Sequence, residues 1–357
     1  QGFATMWVLS LGRQDTCRPD PWPHQRRFFI KTLTKIASIH IFKVPTFGAA
    51  LPQGGAANAA TLYHAKNAVE SGVCDVVVIW RAMNERSQYR FGQPTVSITP
   101  DANGSTFIEW CFPFGAQTPA SWEALSCGQY LSKYGVTSED LGNIAVLMRK
   151  HAATNPNAWF YQQPITLDDH QNSRWIVKPW LRLLDCCQES DGGVAIIVAR
   201  MDKAKDLKQT PARLLAAQYS FLFNHEIISD FYEGDLTGLP FSERVTEKLI
   251  EDAGIAPKDT DVAMIYDNFT PQVLRQLEGF GYCGPGEAKD YIADGNMELD
   301  GKTPLSPNGG LIGEGYIHGM NNITEAVRQI RGTAANQVDN VETAFIASGV
   351  AGAILGK

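Results

Sequence analysis

The sequence predicts a layered α/β protein built in two consecutive halves. Two observations carry that expectation. Short β-branched runs ("VCDVVVIW", "VAIIVA", "DVAMIYD") alternate with helical segments on both sides of residue 210. The composition, 44% hydrophobic and 19% charged, also permits a sizeable core. At 357 residues the chain is long for one simple core, and roughly two domains of about 150 residues each is the expectation.

Taken in order, the first 46 residues carry little pattern: "CRPDPWPH" is a proline-broken loop and "RRFFIKTLTKIASIHIFKV" a mixed basic and apolar segment. "PQGGAANAATLYHAKNAVESG" moves from glycines into an Ala-rich helix, and "VCDVVVIW" after it has the make-up of a strand buried on both faces. From Arg81 to Leu184, aromatics and turn formers ("NERSQYRFGQP", "HAATNPNAWFYQQP", "RWIVKPWLRLL") predict a loop-rich insertion with short helices, residues 81–184, that builds a pocket wall. "ESDGG" then turns into the strand "VAIIVA", and a polar link near Pro211 divides a first half, 1–210, from a second, 211–357.

The second half repeats the style of the first. Strand "ARLLAAQYS" leads to helix "SERVTEKLIEDAGI", with Val245, Leu249, Ile250 and Ala253 at the spacing of one buried face. Strand "DVAMIYD", helix "TPQVLRQLEGFGY", the glycine loop "NGGLIGEGYIHGMNN", helix "NITEAVRQIRG" and strand "VETAFIASGVAGAIL" complete it.

Charge and cysteine usage exclude some function classes. The net charge is -7 and the sequence pI about 5.5, with no block of about five like charges, so nucleic acid is a poor partner. No apolar run approaches the roughly 18 residues of a membrane-spanning helix. The opening "QGFATMWVLSLGRQ" lacks a basic n-region and a small-residue cleavage site, so no signal peptide is expected. The 7 cysteines are odd in number, scattered and without CxxC, which points to a reducing cytoplasm and away from a zinc site.

Three junctions bring backbone N–H groups to a helix start, where they can face a ligand oxygen: "QGGAANAAT", "YDNFTP" and the glycine loop. None is a dinucleotide fingerprint or a Walker loop. Glycines let backbone approach a ligand closely, which makes Gly309, Gly310 and Gly315 of the loop, and Gly349 of "FIASGVAG", candidate substrate-binding positions. Within the same loop stand a phenol with no evident packing reason, Tyr316, and His318.

From Gly54 to Lys357 this arrangement resembles the thiolase superfamily, but the catalytic groups of that family are replaced. The nucleophile position of "QGGAANAAT" is Asn58, and an amide cannot attack a thioester. "YDNF" puts Tyr266 where thiolases carry Asn or His, "GEGYIHG" puts Tyr316 at the catalytic His, and "FIASGVAG" offers Ile346 or Ala347 for the second cysteine. The motifs "YDNFTP", "LEGFGYCGPGEAKDYI", "GEGYIHGMNNITEAVRQIRGT" and "NERSQYRFGQP" closely resemble the thiolase-like lipid-transfer proteins of bacterial steroid catabolism. The resemblance implies a thiolase fold of two α-β-α halves, each with a five-stranded sheet, and a homodimer through the first half. It also implies a small OB-fold partner protein, which in the family often supplies zinc of its own, and paired catalytic tyrosines that map onto Tyr266 and Tyr316.

The implied activity is retro-aldol cleavage of a steroid β-hydroxyacyl-CoA, giving a ring ketone and a short acyl-CoA such as propionyl-CoA. One group must take the hydroxyl proton, and the departing thioester enolate needs an oxyanion site and a proton on carbon. No acyl-enzyme forms and no net electrons move, so neither a cysteine nor a cofactor is expected. Tyr316 is favoured as base and Tyr266 as acid, although the residues alone leave the order open, and a tyrosine base must be tuned by nearby donors. His318, Asn268 and Asp267 are candidate orienting groups, and Asn58 either donates to the thioester oxygen or caps its helix. Cys283 is the one cysteine near enough in sequence to serve a Claisen alternative. The rival from another class is a non-catalytic acyl-CoA or lipid-binding homologue, which would keep the glycine loops but place no demand on two phenols.

Overall fold

A computed structural model describes residues 4–10 as backbone, 47–49, 51, 55, 58–87, 90, 92, 111–204, 207–220 and 234–357. The expectations for residues 11–46, and for most of "RSQYRFGQP", lie outside the described residues. The strands are β1 (Ala4–Ser10), β2 (Val76–Asn84), β3 (Trp175–Val177), β4 (Leu181–Arg182) and β5 (Asp191–Arg200). The second half adds β6 (Ala212–Tyr219), β7 (Val262–Met264), β8 (Thr343–Ala347) and β9 (Ala351–Gly356). The helices that frame the site are α1 (Asn58–Glu70), α2 (Pro119–Tyr134), α3 (Ser138–Thr154), α4 (Pro240–Ala253), α5 (Thr270–Gly279), α6 (Gly310–Gly313) and α7 (Met320–Arg331).

Seven strands form one mixed sheet in the order β2-β5-β1-β6-β9-β8-β7, while β3 and β4 make a separate ribbon. The resemblance implied two five-stranded sheets. Among the described residues the strands instead join in one, because β1 pairs with both β5 and β6. Only the β7–β8 pair is parallel.

Both faces of this sheet are covered, which follows from the alternation of side chains along its strands. On β8, Ala344 and Ile346 join one hydrophobic cluster with Leu62 of α1 and Ile323, Val327 and Ile330 of α7. Phe345 and Ala347 point the other way, into a cluster with Ile144 and Met148 of α3, Leu249 of α4 and Val273 and Leu277 of α5. Strand β7 divides likewise, Met264 to the first cluster and Ala263 to the second. Fully burying one side chain of the size of Phe345 or Ile354 contributes about 1.5–3 kcal/mol, so each face is an independent source of stability. Each cluster draws on residues from both sides of Pro211.

Three expectations change. The stretch 81–184 is less loop-rich than its turn formers suggest, since α2 and α3 hold 16 and 17 residues. Their caps were written in the sequence. Thr118 accepts from the Ser121 N–H ahead of a proline at the first turn, Gly135 ends α2 in the left-handed region, and Thr137 with Asp140 forms a capping box for α3. The run "VCDVVVIW" does not make a strand buried on both faces: β2 is the sheet edge, with Trp80 55% exposed. "VETAFIASGVAGAIL" is two antiparallel strands, β8 and β9, that turn back at Gly349 (φ +76°).

Candidate active site

Three chain segments meet at the two tyrosines. Tyr266 follows β7 and is 5% exposed. Its position is set by backbone hydrogen bonds, because Asn322 Nδ2 donates to the Ile265 carbonyl (3.0 Å) and Gln276 Nε2 to the Tyr266 carbonyl (2.7 Å). Tyr316 is half-buried and its N–H donates to Ser190 Oγ (3.0 Å). The two hydroxyls come to 3.0 Å, a hydrogen bond across 50 residues of sequence.

Two glycines that drew no attention in the sequence make this approach feasible. A Cβ at Gly55 would lie 1.9 Å from Tyr266 Oη. At Gly319 (φ +73°) it would lie 2.0 Å from Asn58 Nδ2 and 2.8 Å from Tyr266 Cδ2. The glycines that were singled out do other work. A Cβ at Gly309 would meet Ala152 of α3 at 2.5 Å, and one at Gly310 would meet Asp267 Oδ2 at 2.2 Å, so both serve packing beneath the site. Gly315 (φ +155°) gives the chain the turn that brings Tyr316 beside Ser190. Gly349 has its N–H on Gln276 Oε1 (3.2 Å) and its carbonyl on Ser242 Oγ (2.8 Å), which commits it to the β8–β9 turn.

The supporting residues separate in the same way. Asp267 is fully buried and accepts from the Leu311 N–H (2.8 Å) and the Ile312 N–H (3.1 Å). It therefore pins the glycine loop to the end of β7 and does not touch either phenol directly. Burial pushes its carboxyl up to about 6 against the pull of those N–H groups. Asn268 takes the Cys187 N–H on its carbonyl (2.8 Å), and its side-chain oxygen is buried with no partner. His318 adopts φ +50°, uncommon for a residue with a Cβ, and packs its ring edge-on to Tyr316 at 5.2 Å. Burial, with Arg81 beside it, holds this imidazole down to about 3, so it is neutral at physiological pH.

Asn58 opens α1 but does not cap it. The residue is 3% exposed, and among the described residues neither Nδ2 nor Oδ1 has a hydrogen-bond partner. A buried amide with both ends unmet is costly unless something else supplies the bonds.

The electrostatics correct one expectation. Neither tyrosine is tuned down: burial pushes both phenols far up, and the hydrogen bond from Tyr316 offsets only part of this at Tyr266. Two groups were missed in the sequence. Cys187 is a thiol that burial raises well above its ordinary value, which makes it a poor nucleophile. Glu85, inside "NERSQYRFGQP", is 2% exposed, and among the described residues its carboxyl faces the Ser190 backbone N–H without a fully formed hydrogen bond at either oxygen. A carboxylate placed directly after the apolar run of β2 was the signal for it. Cys283 lies elsewhere, beside Glu278 and Glu287, and burial pushes it up to about 12. Among the described residues, no three His, Cys, Asp or Glu side chains converge as a metal site requires, and no helix is long and apolar enough to cross a membrane.

This arrangement can hold and pass protons between two oxygens 3.0 Å apart, next to an amide with nothing to bond. Residues 224–355 match the family model described as thiolase C-terminal domain-like. The chain is 48% identical over 308 residues to a steroid side-chain-cleaving aldolase of Thermomonospora curvata, covering 85% of this chain and 78% of that protein. It is 48% identical over 317 residues to the 17-hydroxy-3-oxo-4-pregnene-20-carboxyl-CoA lyase of Mycobacterium tuberculosis, covering 87% and 82%. Among solved structures, an Ltp2-ChsH2(DUF35) aldolase superposes with a TM-score of 0.82 at 45% identity, over 90% of this chain and 83% of that one. Human mitochondrial 3-ketoacyl-CoA thiolase shares the fold, with a TM-score of 0.56 at 14% identity, over 85% and 77%.

Proposed function

The chain belongs to the thiolase superfamily, with the steroid side-chain-cleaving aldolases, and on that premise we propose that it is a carbon–carbon lyase acting on a steroid β-hydroxyacyl-CoA. The Tyr266–Tyr316 hydroxyl pair is the observation that carries this reading. In a retro-aldol cleavage the hydroxyl proton leaves oxygen, the Cα–Cβ bond breaks, a ring ketone forms, and the thioester enolate is protonated on carbon. Two phenols in hydrogen-bond contact match two proton transfers at neighbouring atoms. Tyr316, on the glycine loop, handles the hydroxyl, and Tyr266 delivers the proton to the enolate carbon. The unmet Nδ2 of Asn58, beside Tyr266, donates to the enolate oxygen. The reaction calls for no redox cofactor, because no net electrons move.

Assembly is part of the proposal. Among the described residues, the edge strand β2 has no partner on its outer side and leaves Val76 and Trp80 exposed, a combination that proteins cover. A second copy pairing at that edge makes a homodimer through the first half. A small OB-fold partner completes the complex, a reading supported by the partnered aldolase structure of similar fold.

The test is product analysis. The full chain, co-expressed with its partner, is incubated with 17-hydroxy-3-oxo-4-pregnene-20-carboxyl-CoA, and the products are identified by mass spectrometry. A ring ketone and propionyl-CoA in equal amounts are expected. Saturable binding without cleavage would place the chain with the non-catalytic lipid binders.

A further inference from the structure

Both phenols enter the reaction protonated, so a hydroxyl proton taken by Tyr316 displaces the one Tyr316 already holds. That proton needs an acceptor within the site. Glu85 is the buried carboxyl that shares a neighbour with Tyr316, the imidazole of His318. The residue follows β2, is 2% exposed, and among the described residues its carboxyl faces the Ser190 backbone N–H without a fully formed hydrogen bond at Oε1 or Oε2. An unmet buried carboxyl of this kind destabilises a fold and marks a group kept for another purpose. His318 Nε2 stands 4.0 Å from Oε1, beyond hydrogen-bond length, and the same imidazole packs against the Tyr316 ring. Its neutrality rules out a salt bridge, so the gap leaves the carboxyl open to a third group. The other charged or titratable groups that act on Glu85 are Glu189 and Asp191, which oppose its ionisation, and Arg81, which favours it. Its own charge in turn acts on Tyr266, Tyr316 and Cys187.

We infer that Glu85 is the terminal proton acceptor of the cleavage, taking through Tyr316 the proton of the substrate hydroxyl. The inference rests on the retro-aldol reading above. As the hydroxyl O–H bond breaks toward Tyr316 Oη, the proton of Tyr316 passes to the Glu85 carboxylate. The Cα–Cβ electron pair becomes the thioester enolate and the ketone forms. Tyr266 then protonates Cα and is recharged across the 3.0 Å contact by Tyr316, which recovers its proton from Glu85. The hydroxyl proton has in effect moved to Cα, and no co-reactant is needed. Burial and the nearby Glu189 push the Glu85 carboxyl up to about 8, which puts it within reach of neutral pH in both charge states, as a reversible acceptor requires.

The experiment uses the full chain with its partner and the pregnene-carboxyl-CoA thioester. For the unaltered protein, kcat/KM is expected to rise with pH through a limb near 8. Glu85→Gln should lose that limb and about 10² to 10⁴-fold in kcat, with KM and thioester binding little changed. Glu85→Asp, which keeps the carboxylate, should retain the limb with a smaller loss. A flat profile in the unaltered protein, or a Glu85→Gln protein with the limb intact, overturns the inference, as does a defect confined to KM or melting temperature. Comparison with Tyr316→Phe separates the two levels. If Tyr316→Phe is inactive while Glu85→Gln cleaves normally, the retro-aldol reading stands and this inference falls; if both cleave normally, both fall.

Discussion

Among the described residues, two histidine–carboxylate pairs with both partners buried are built to opposite specifications. His170 Nε2 lies 2.9 Å from Asp185 Oδ1, which also accepts from Thr270 Oγ1 (2.7 Å), while Oδ2 accepts from the Arg182 N–H (2.7 Å). Every side-chain polar atom of that pair is met. His318 and Glu85 stand 4.0 Å apart, with both carboxyl oxygens unmet. The tighter pair is the one that a search for catalytic dyads would pick first, yet it is the structural one, tying helix 167–172 to the start of α5. A fully satisfied buried network holds a fold in place, whereas unmet buried groups mark where a ligand supplies the missing bonds. Asn58 belongs with Glu85 on this criterion, and Asp267, saturated by Leu311 and Ile312, belongs with Asp185.

The contrast can be broken or sharpened by mutation, most strongly at the phenols. Tyr316→Phe and Tyr266→Phe each remove one hydroxyl at nearly constant volume, so folding should survive while cleavage falls by about 10² to 10⁴-fold. The double variant should lose less than the product of the single losses, since both act on one reaction coordinate. Steady-state kinetics alongside circular dichroism decides this. A folded Tyr316→Phe protein with near-normal turnover would sink the tyrosine mechanism.

At the structural pair the pattern should invert. Asp185→Ala leaves His170, Thr270 and the Arg182 N–H without their acceptor, and breaking such a buried pair costs about 3–5 kcal/mol. Urea titration should show that loss, while kcat per folded molecule stays close to normal. A Asp185→Ala protein of normal stability and lowered kcat would reverse the assignment of the two pairs.

Asn58→Ala should act more mildly on catalysis, because it removes a single neutral donor to the enolate oxygen. About a tenfold fall in kcat, near 1.4 kcal/mol of transition-state stabilisation, is expected. Removing two unmet buried atoms should leave stability unchanged or slightly raised, measurable as a higher melting temperature.

The remaining expected effect is in the pH dependence of stability. Glu85 is raised from 4.5 to about 8 in the folded chain, so between those values the folded state holds more protons than the unfolded one. Its contribution is fully present below about 4.5 and is lost as pH rises through about 8. Calorimetry should therefore show a melting temperature that falls over this window, with a shallower slope in Glu85→Gln. An identical slope in the two proteins would mean that Glu85 titrates normally.

Much of this molecule was determined by local sequence. Apolar periodicity and turn residues are enough to assign β6, α4 and α7, although Ile250, expected on the buried face of α4, is 42% exposed beside buried Val245 and Leu249, and α7 is buried on nearly every side. The replacement of thiolase groups by Asn58, Tyr266 and Tyr316 was legible for a similar reason, since long motifs keep their place in a fold when their chemistry changes. The caps of α2 and α3 are also present in the sequence, in Thr118, Thr137 and Asp140, amid the aromatics and prolines that suggest loops.

What only the tertiary structure decided is which groups end up satisfied. Glycines 309, 310 and 319 look alike in sequence, but they face Ala152, Asp267 and Asn58 respectively, and only the last opens onto the tyrosine pair. Glu85 reads as one more charged residue after a strand until packing removes its water and gives it no fully formed hydrogen bond. Hydrogen-bond satisfaction and pKa depend on neighbours 100 or more residues away, such as Glu189 beside Glu85, and no local pattern encodes them.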